Sequence, residues 1–203
     1  MKRAYAILIF LLLFTSVAEA RKDKVPRFTF GAEWGYVGVF YSGYHHNFFS
    51  PEGYRADPRE YGFNTISNVE GYVHGGYNLS DKYNISLYMG LTALMKYHHA
   101  IPVSVRLTRY YKTNNLGDRW FGFIDLGSGV SIKKEPDMML SGKIGAGYRM
   151  SLSRRTSLDF IAGLRTVLTH PDIYYYGTLI PQDKINRNNA YMSALSLSIS
   201  LTF

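Results

Sequence analysis

The residues of this chain with the means to do chemistry are few and scattered. Glu33 and Glu70 sit inside apolar segments, and two carboxylates held close together are the minimum for acid–base work. His45-His46, His98-His99 and His170 would offer imidazole nitrogens to a transition metal if their segments converged. No H-x-x-x-H or HExxH spacing is present, so neither a metal nor any cofactor is expected. For nucleophilic hydrolysis the candidate pairs are His98 or His99 with Ser104. That chemistry needs a serine within reach of a histidine that a third group orients. No GxSxG or GxxxxGK stretch is present, and Ser104 reads instead as a small interior residue like Ser86 or Ser128.

What must position these residues is a set of segments that alternate with period two. The last one shows it best: Leu195, Leu197, Ile199, Leu201 and Phe203 fall on one face, Ala194, Ser196, Ser198, Ser200 and Thr202 on the other. The first sends Phe28, Phe30, Ala32, Trp34 and Tyr36 one way and Glu33 the other. Similar segments span about 61–77, 84–96, 101–111, 119–132, 138–151 and 156–169. Eight such segments match the length of tilted membrane strands. Residues 78–82, 112–118 and 153–155 are then short turns at one end, and 42–60, 97–100, 133–137 and 170–189 are loops at the other. The count rises to ten if the two long loops carry paired extensions.

The decisive pattern is where charge falls within these segments. Glu33, Glu70, Arg106, Asp125, Lys143, Arg149, Asp159 and Arg165 all lie opposite the apolar face. An arginine or lysine on a lipid-facing surface near the midplane costs roughly 2–4 kcal/mol. Inside a narrow closed sheet the same groups can pair, and burial demands that they do. They read as a packed lumen of ion pairs rather than a catalytic site or a proton path, since structural networks readily imitate active sites.

Composition agrees. Residues 1–20 carry Lys2 and Arg3, the apolar run Ala6 to Phe14 and a small-x-small site at Ala18-Glu19-Ala20, the pattern of a cleaved signal peptide. No later run is long enough for a membrane-spanning helix, so a membrane protein of this sequence must be a barrel. There is no cysteine, hence no lipoprotein anchor, disulfide or thiolate site. Eighteen Tyr and 19 Gly suit an interfacial aromatic belt on a tightly curved wall. The formal net charge of +8 lacks the basic stripe or motif of a nucleic-acid binder, so no nucleic acid is expected as a partner. The basic cluster Arg21-Lys22-Asp23-Lys24 reads as a solvated tail or a headgroup contact.

The leader, the alternating segments and the ending LSLSISLTF together resemble the small eight-stranded outer-membrane β-barrels of Gram-negative bacteria, of the OmpA and OmpX type, with a Bacteroidetes-like flavour in WFGFIDLGSGVSI (Trp120 to Ile132). The resemblance implies an all-β fold, a transmembrane antiparallel up-and-down barrel of eight strands over residues 21–203, in the outer membrane. It also implies that the terminal Phe203, with Ile199 and its alternate neighbours, is the signal read by the barrel assembly machinery. Lipopolysaccharide is then the expected lipid partner, met by a basic rim. Some barrels of this size modify lipid A, so a hydrolase stands as the alternative, beside a narrow pore and a soluble periplasmic barrel.

The long loops supply the binding candidates. Tyr44, His45, His46, Phe48 and Phe49 in the first, and Tyr174, Tyr175 and Tyr176 in the last, have the aromatic character of a recognition surface for an extracellular ligand or protein. The same rings would also serve as an interfacial girdle or extend the strands.

Overall fold

The computed structural model describes residues 26–95, 98–111, 117–132, 138–153 and 155–203. The expected signal peptide and the Arg21-Lys22-Asp23-Lys24 cluster lie outside these, as do residues 112–116 of one expected turn, the loop at 133–137, Tyr97 and Arg154. Eight long strands build the molecule: β1 (Phe28–Phe49), β2 (Arg59–Asn78), β3 (Tyr83–Met95), β4 (His98–Tyr110), β5 (Arg119–Ser131), β6 (Met138–Ser151), β7 (Ser157–Thr169) and β8 (Ile185–Thr202). Each pairs antiparallel with its neighbour in sequence, and β8 pairs back onto β1. The sheet is a closed up-and-down barrel, which removes the unpaired edges an open sheet would present to lipid.

Closure requires tilted strands and a staggered register. The stagger can be followed through the pairs Ala32–Val73, Val73–Met89, Met89–Val103, Val103–Ser128, Ser128–Leu140, Leu140–Leu168, Leu168–Tyr191 and Tyr191–Gly43. A path that leaves β1 at Ala32 returns to it at Gly43, so neighbours across the lumen come from distant positions along their strands.

Alternation decides what each strand shows to either side. Outward stand Leu87, Met89, Leu91, Val103, Val105, Ile124, Leu126, Leu140, Ile144, Leu164 and Leu197, all exposed and forming one belt. A contiguous apolar surface of that extent does not suit water, and among the described residues no helix is long and apolar enough to cross a membrane. At the end carrying the short turns and both strand termini, the belt finishes in a ring of aromatics. Phe28 packs edge-on to Tyr77 (5.2 Å), Trp120 to Tyr148 (5.1 Å), and Phe30 stacks on Phe203 (5.6 Å). Amphipathic rings at that depth are the interfacial girdle expected of a membrane barrel.

Two expectations are corrected. Residues 42–49, 59–60 and 185–189 are strand rather than loop, because β1, β2 and β8 continue pairing well past the ends of the other five. The paired extensions therefore lengthen existing strands and leave the barrel at eight; the extra pairing is confined to Arg55–Ala56 against Phe48–Phe49 and a small hairpin, Tyr174–Tyr175 with Thr178–Leu179. Ser128 is exposed on the outer face, two residues from Leu126 and Val130, and is not a lumen residue.

Glycines in β6 make room for aromatic side chains from β5. Phe121 pairs with Gly147 and Phe123 with Gly145, and each ring lies over its glycine. A Cβ on Gly145 would run into the Ala162 carbonyl oxygen and come within 2.7 Å of the Phe123 ring. Gly145→Leu should therefore destabilise the barrel by about 1–3 kcal/mol, the usual cost of overpacking. Gly142→Leu should be nearly silent, because its nearest neighbour is a Leu126 methyl at 3.6 Å. Urea unfolding of the two variants in lipid vesicles checks the difference, and equal midpoints would contradict it.

Candidate functional site

The eight charged residues expected on the inner face come together in the lumen as ion pairs. Six form a chain of alternating sign. Asp125 on β5 accepts from Nε of Arg106 on β4 (3.0 Å), whose Nη1 reaches Glu33 on β1 (2.6 Å). Nζ of Lys143 on β6 bridges Glu33 (3.4 Å) and Glu70 on β2 (2.9 Å), and Nη1 of Arg165 on β7 closes the series at Glu70 (3.0 Å). The two remaining strands join by hydroxyls: Ser198 on β8 donates to Glu33 (2.8 Å), and Thr92 on β3 accepts from Arg165 (2.9 Å). Arg149 and Asp159 make a separate bidentate pair (2.6 and 2.7 Å). Glu33 is 1% exposed, a depth at which a carboxylate is tolerated only when paired and hydrogen-bonded. The lysine between Glu33 and Glu70 leaves neither carboxylate free for acid–base work.

Apolar clusters lie in the lumen on both sides of this chain. Toward the long-loop end, Val37, Val39, Ala100, Met139, Val167, Met192 and Ala194 form one buried cluster. Toward the short-turn end lie Tyr110, Phe121, Phe123 and Ile161, beside a small polar cavity walled by Asn84, Tyr88, Arg106, Arg149 and Asp159. Arg119, at 5% exposure, also belongs to this end; its guanidinium lies 3.9 Å over the Tyr110 ring, and Nε and Nη1 have no hydrogen-bond partner among the described residues. Its one sequence signal is parity, since it stands two residues from the inward Phe121.

The proposed pair of His99 with Ser104 does not meet. His99 is exposed on the outer face, whereas Ser104 is buried on the inner face, because the two differ in parity on β4. The His98 side chain lies outside the described set. The lumen does bring His74 Nε2 within 3.1 Å of Ser200 Oγ, a pair that 126 residues of separation hid from the sequence reading. Among the described residues His74 Nδ1 has no hydrogen-bond partner, so none of them serves as the orienting group of a triad. Among the described residues no three His, Cys, Asp or Glu side chains are grouped to hold a metal.

The loop candidates divide. Tyr44, His45, His46, Phe48 and Phe49 lie on the extension of β1 and not in a loop. Phe48, at 3% exposure, is buried with Ile173 and Ile180 where residues 170–184 pack against the extensions, so it is unavailable to a ligand. Tyr175 packs edge-on to Phe48 (5.9 Å) and its hydroxyl meets that of Tyr54. Tyr174 and Tyr176 are exposed, Tyr176 at a hairpin tip where it and Gly177 both take positive φ (45° and 80°), as a two-residue hairpin turn requires. Tyr44 stacks on His46 (4.5 Å). His45 lies 2.7 Å from Asp57, which also accepts from Arg59 (2.9 Å) and Asn47 (3.0 Å). These hydrogen bonds, His45 first and Arg59 second, hold the Asp57 carboxyl down at about 2 and keep it ionised.

No protein-family model and no curated protein sequence matches the chain. Solved structures do. The outer membrane protein OprG of Pseudomonas aeruginosa is similar over 86% of this chain and 95% of its own, with a TM-score of 0.50 at 10% identity. The N-terminal β-barrel domain of Pseudomonas aeruginosa OprF matches over 83% and 99% (15% identity, TM-score 0.42), and Neisserial surface protein A over 85% and 99% (12% identity, TM-score 0.41). The protein has the fold of the small eight-stranded outer-membrane β-barrels. At this level of identity the likeness to OprG is one of architecture alone.

Proposed function

We propose that the protein is an integral outer-membrane barrel that does not conduct through its lumen and works at its outer surface, as an envelope component that binds through the extensions of β1, β2 and β8 and the segment packed on them. The observation that carries this is the lumen itself: an alternating ion-pair chain braced from all eight strands, with apolar layers on both sides, beneath a belt of exposed aliphatic residues. A channel needs continuous polar space, and a soluble barrel does not need that belt. Delivery by a cleaved signal peptide and insertion by the barrel assembly machinery, with Phe203 as part of the signal, complete the reading. The extensions then face outward, where an extracellular ligand or protein is met.

Reconstitution into a planar lipid bilayer tests it. The expected result is incorporation, seen as faster migration of the unboiled protein on gels, with no step conductance above that of bare lipid. Stable, reproducible conductance steps would overturn the sealed lumen in favour of a narrow pore.

A further inference from the structure

The apolar belt ends unevenly around the barrel. On β7 it stops at Leu168, whose register partner is Tyr191 on β8, and Tyr191 is paired in turn with Gly43 on β1, and Gly43 with Tyr61 on β2. Among the described residues these three strands carry the outward face furthest beyond the belt, and its next residues are aromatic. Tyr41 contacts Phe63 and Tyr191 (5.5 Å each), and Tyr61 contacts Tyr191 (6.1 Å). Gly43 is what lets these rings lie down on the sheet: a Cβ there would strike the Tyr61 ring and come within 2.9 Å of Tyr191. The product is an aromatic platform of tilted and edge-on rings, with Phe63 85% exposed.

Beyond the platform the same face carries two arginines, with Asn189 standing between Tyr191 and the second of them. Arg59 is two residues past Tyr61 on the same face of β2 and is the register partner of His45; Arg187 is the register partner of Asn47. Both are exposed. Asp57 holds Arg59 from one side (2.9 Å), while Arg187 has no ion pair among the described residues. Along one side of the molecule the order is therefore aliphatic belt, aromatic platform, guanidinium pair. An outer-leaflet glycolipid presents the matching order of acyl chains, sugars and phosphates. Aromatic faces suit the half-apolar, half-polar surface of a sugar at the interface, and guanidinium groups bind phosphate in bidentate fashion.

We propose that the outward face of the β2–β1–β8 extension is a binding site for one phosphorylated glycolipid, lipopolysaccharide, with its sugars on Tyr61 and Tyr191 and its phosphates on Arg59 and Arg187. The site rests on the outer-membrane orientation argued above. It is continuous with the belt that anchors the barrel, which distinguishes it from a surface for a soluble partner.

Native mass spectrometry of the folded protein, released from detergent after incubation with bisphosphorylated lipid A, with enzymatically dephosphorylated lipid A or with phosphatidylglycerol, tests it. The expected result is retention of one lipid A in preference to both other lipids. Arg59→Gln with Arg187→Gln should weaken retention of bisphosphorylated lipid A about tenfold, as loss of charge-assisted hydrogen bonds implies, and leave the dephosphorylated form unchanged. Tyr61→Leu with Tyr191→Leu should weaken both, and Tyr148→Leu, at the opposite girdle, neither. Faster gel migration of each unboiled variant confirms that it is folded. Equal retention of phosphatidylglycerol, or indifference to the arginine pair, would overturn the site as ordinary annular lipid. Binding of a soluble sulfated oligosaccharide without lipid A retention would overturn it in favour of an extracellular glycan. A barrel that folds and is electrically silent yet fails this test leaves the sealed-lumen reading intact, so the two failures are distinguishable.

Discussion

Arg106→Leu is expected to destabilise the membrane-embedded barrel by about 3–5 kcal/mol, the range for breaking a buried ion pair from one side. Arg106 is the hub of the lumen chain. It bonds Asp125 (3.0 Å), Glu33 (2.6 Å) and the Tyr88 hydroxyl (3.0 Å), with its guanidinium 3.9 Å over the Tyr88 ring and 4.5 Å over Phe123. Leucine would fill part of the space but leave Asp125 buried without its cation, and Glu33 with Lys143 as its one cation beside the Ser198 hydroxyl. The cost arises from the stranded carboxylates more than from the lost attraction. Adding Asp125→Leu should therefore recover part of it, making the double variant more stable than the sum of the two single changes predicts. Equilibrium urea unfolding in vesicles gives both numbers. A loss below about 1 kcal/mol for Arg106→Leu would show that the network fills space without bracing the barrel, since that is the worth of an ordinary exposed pair.

Leu126→Arg should cost about 2–4 kcal/mol in a bilayer, the price of a cation on the lipid face near the midplane. Leu126 is 65% exposed in the middle of β5. In a water-soluble barrel an exposed leucine can become arginine at almost no cost, so this substitution separates the two solvents by its size alone. Asn189→Arg, on the extension of β8, should change stability by about 1 kcal/mol or less, as near-interface charges do. Vesicle unfolding of the two variants beside the parent chain measures the contrast. Equal and small effects would remove the membrane from the account.

Parity made much of this architecture readable in advance. On β4 the series Ile101, Val103, Val105, Leu107 faces out and Ser104, Arg106, Thr108 faces in, as strict alternation demands. Parity cannot say which acid meets which base, because that depends on the stagger of the closed sheet. Glu33 and Glu70 read as neighbours on adjacent strands, yet it is Lys143 from β6 that joins them across the lumen. The extension of β1 was illegible for a local reason. A register shift between Val39 and Tyr41 passes over Phe40, so the alternation that runs from Phe28 to Val39 changes phase, and GYHHNFF then looks like loop. Phe48 shows the complementary error. An aromatic residue in a polar stretch suggests a contact surface, but Ile173 and Ile180, over a hundred residues away, cover it.

The seam between β1 and β8 joins the two ends of the folded chain, and its register runs from Gly31–Thr202 to Phe48–Ile185, well beyond the pairing of β3 with β4. Contacts of such high sequence separation form late and slowly, so ring closure must wait until the final strand is present. Once closed, the same length works the other way. Parting β1 from β8 within a bilayer would strip a long row of amide and carbonyl groups of partners where no water can replace them. The joint is thus slow to make and, like the equally long seam between β1 and β2, hard to undo, giving the barrel a persistence set by rate more than by equilibrium. It also argues against a side door: a lipid on the outer face of this seam can lie along it, but has no route between the strands.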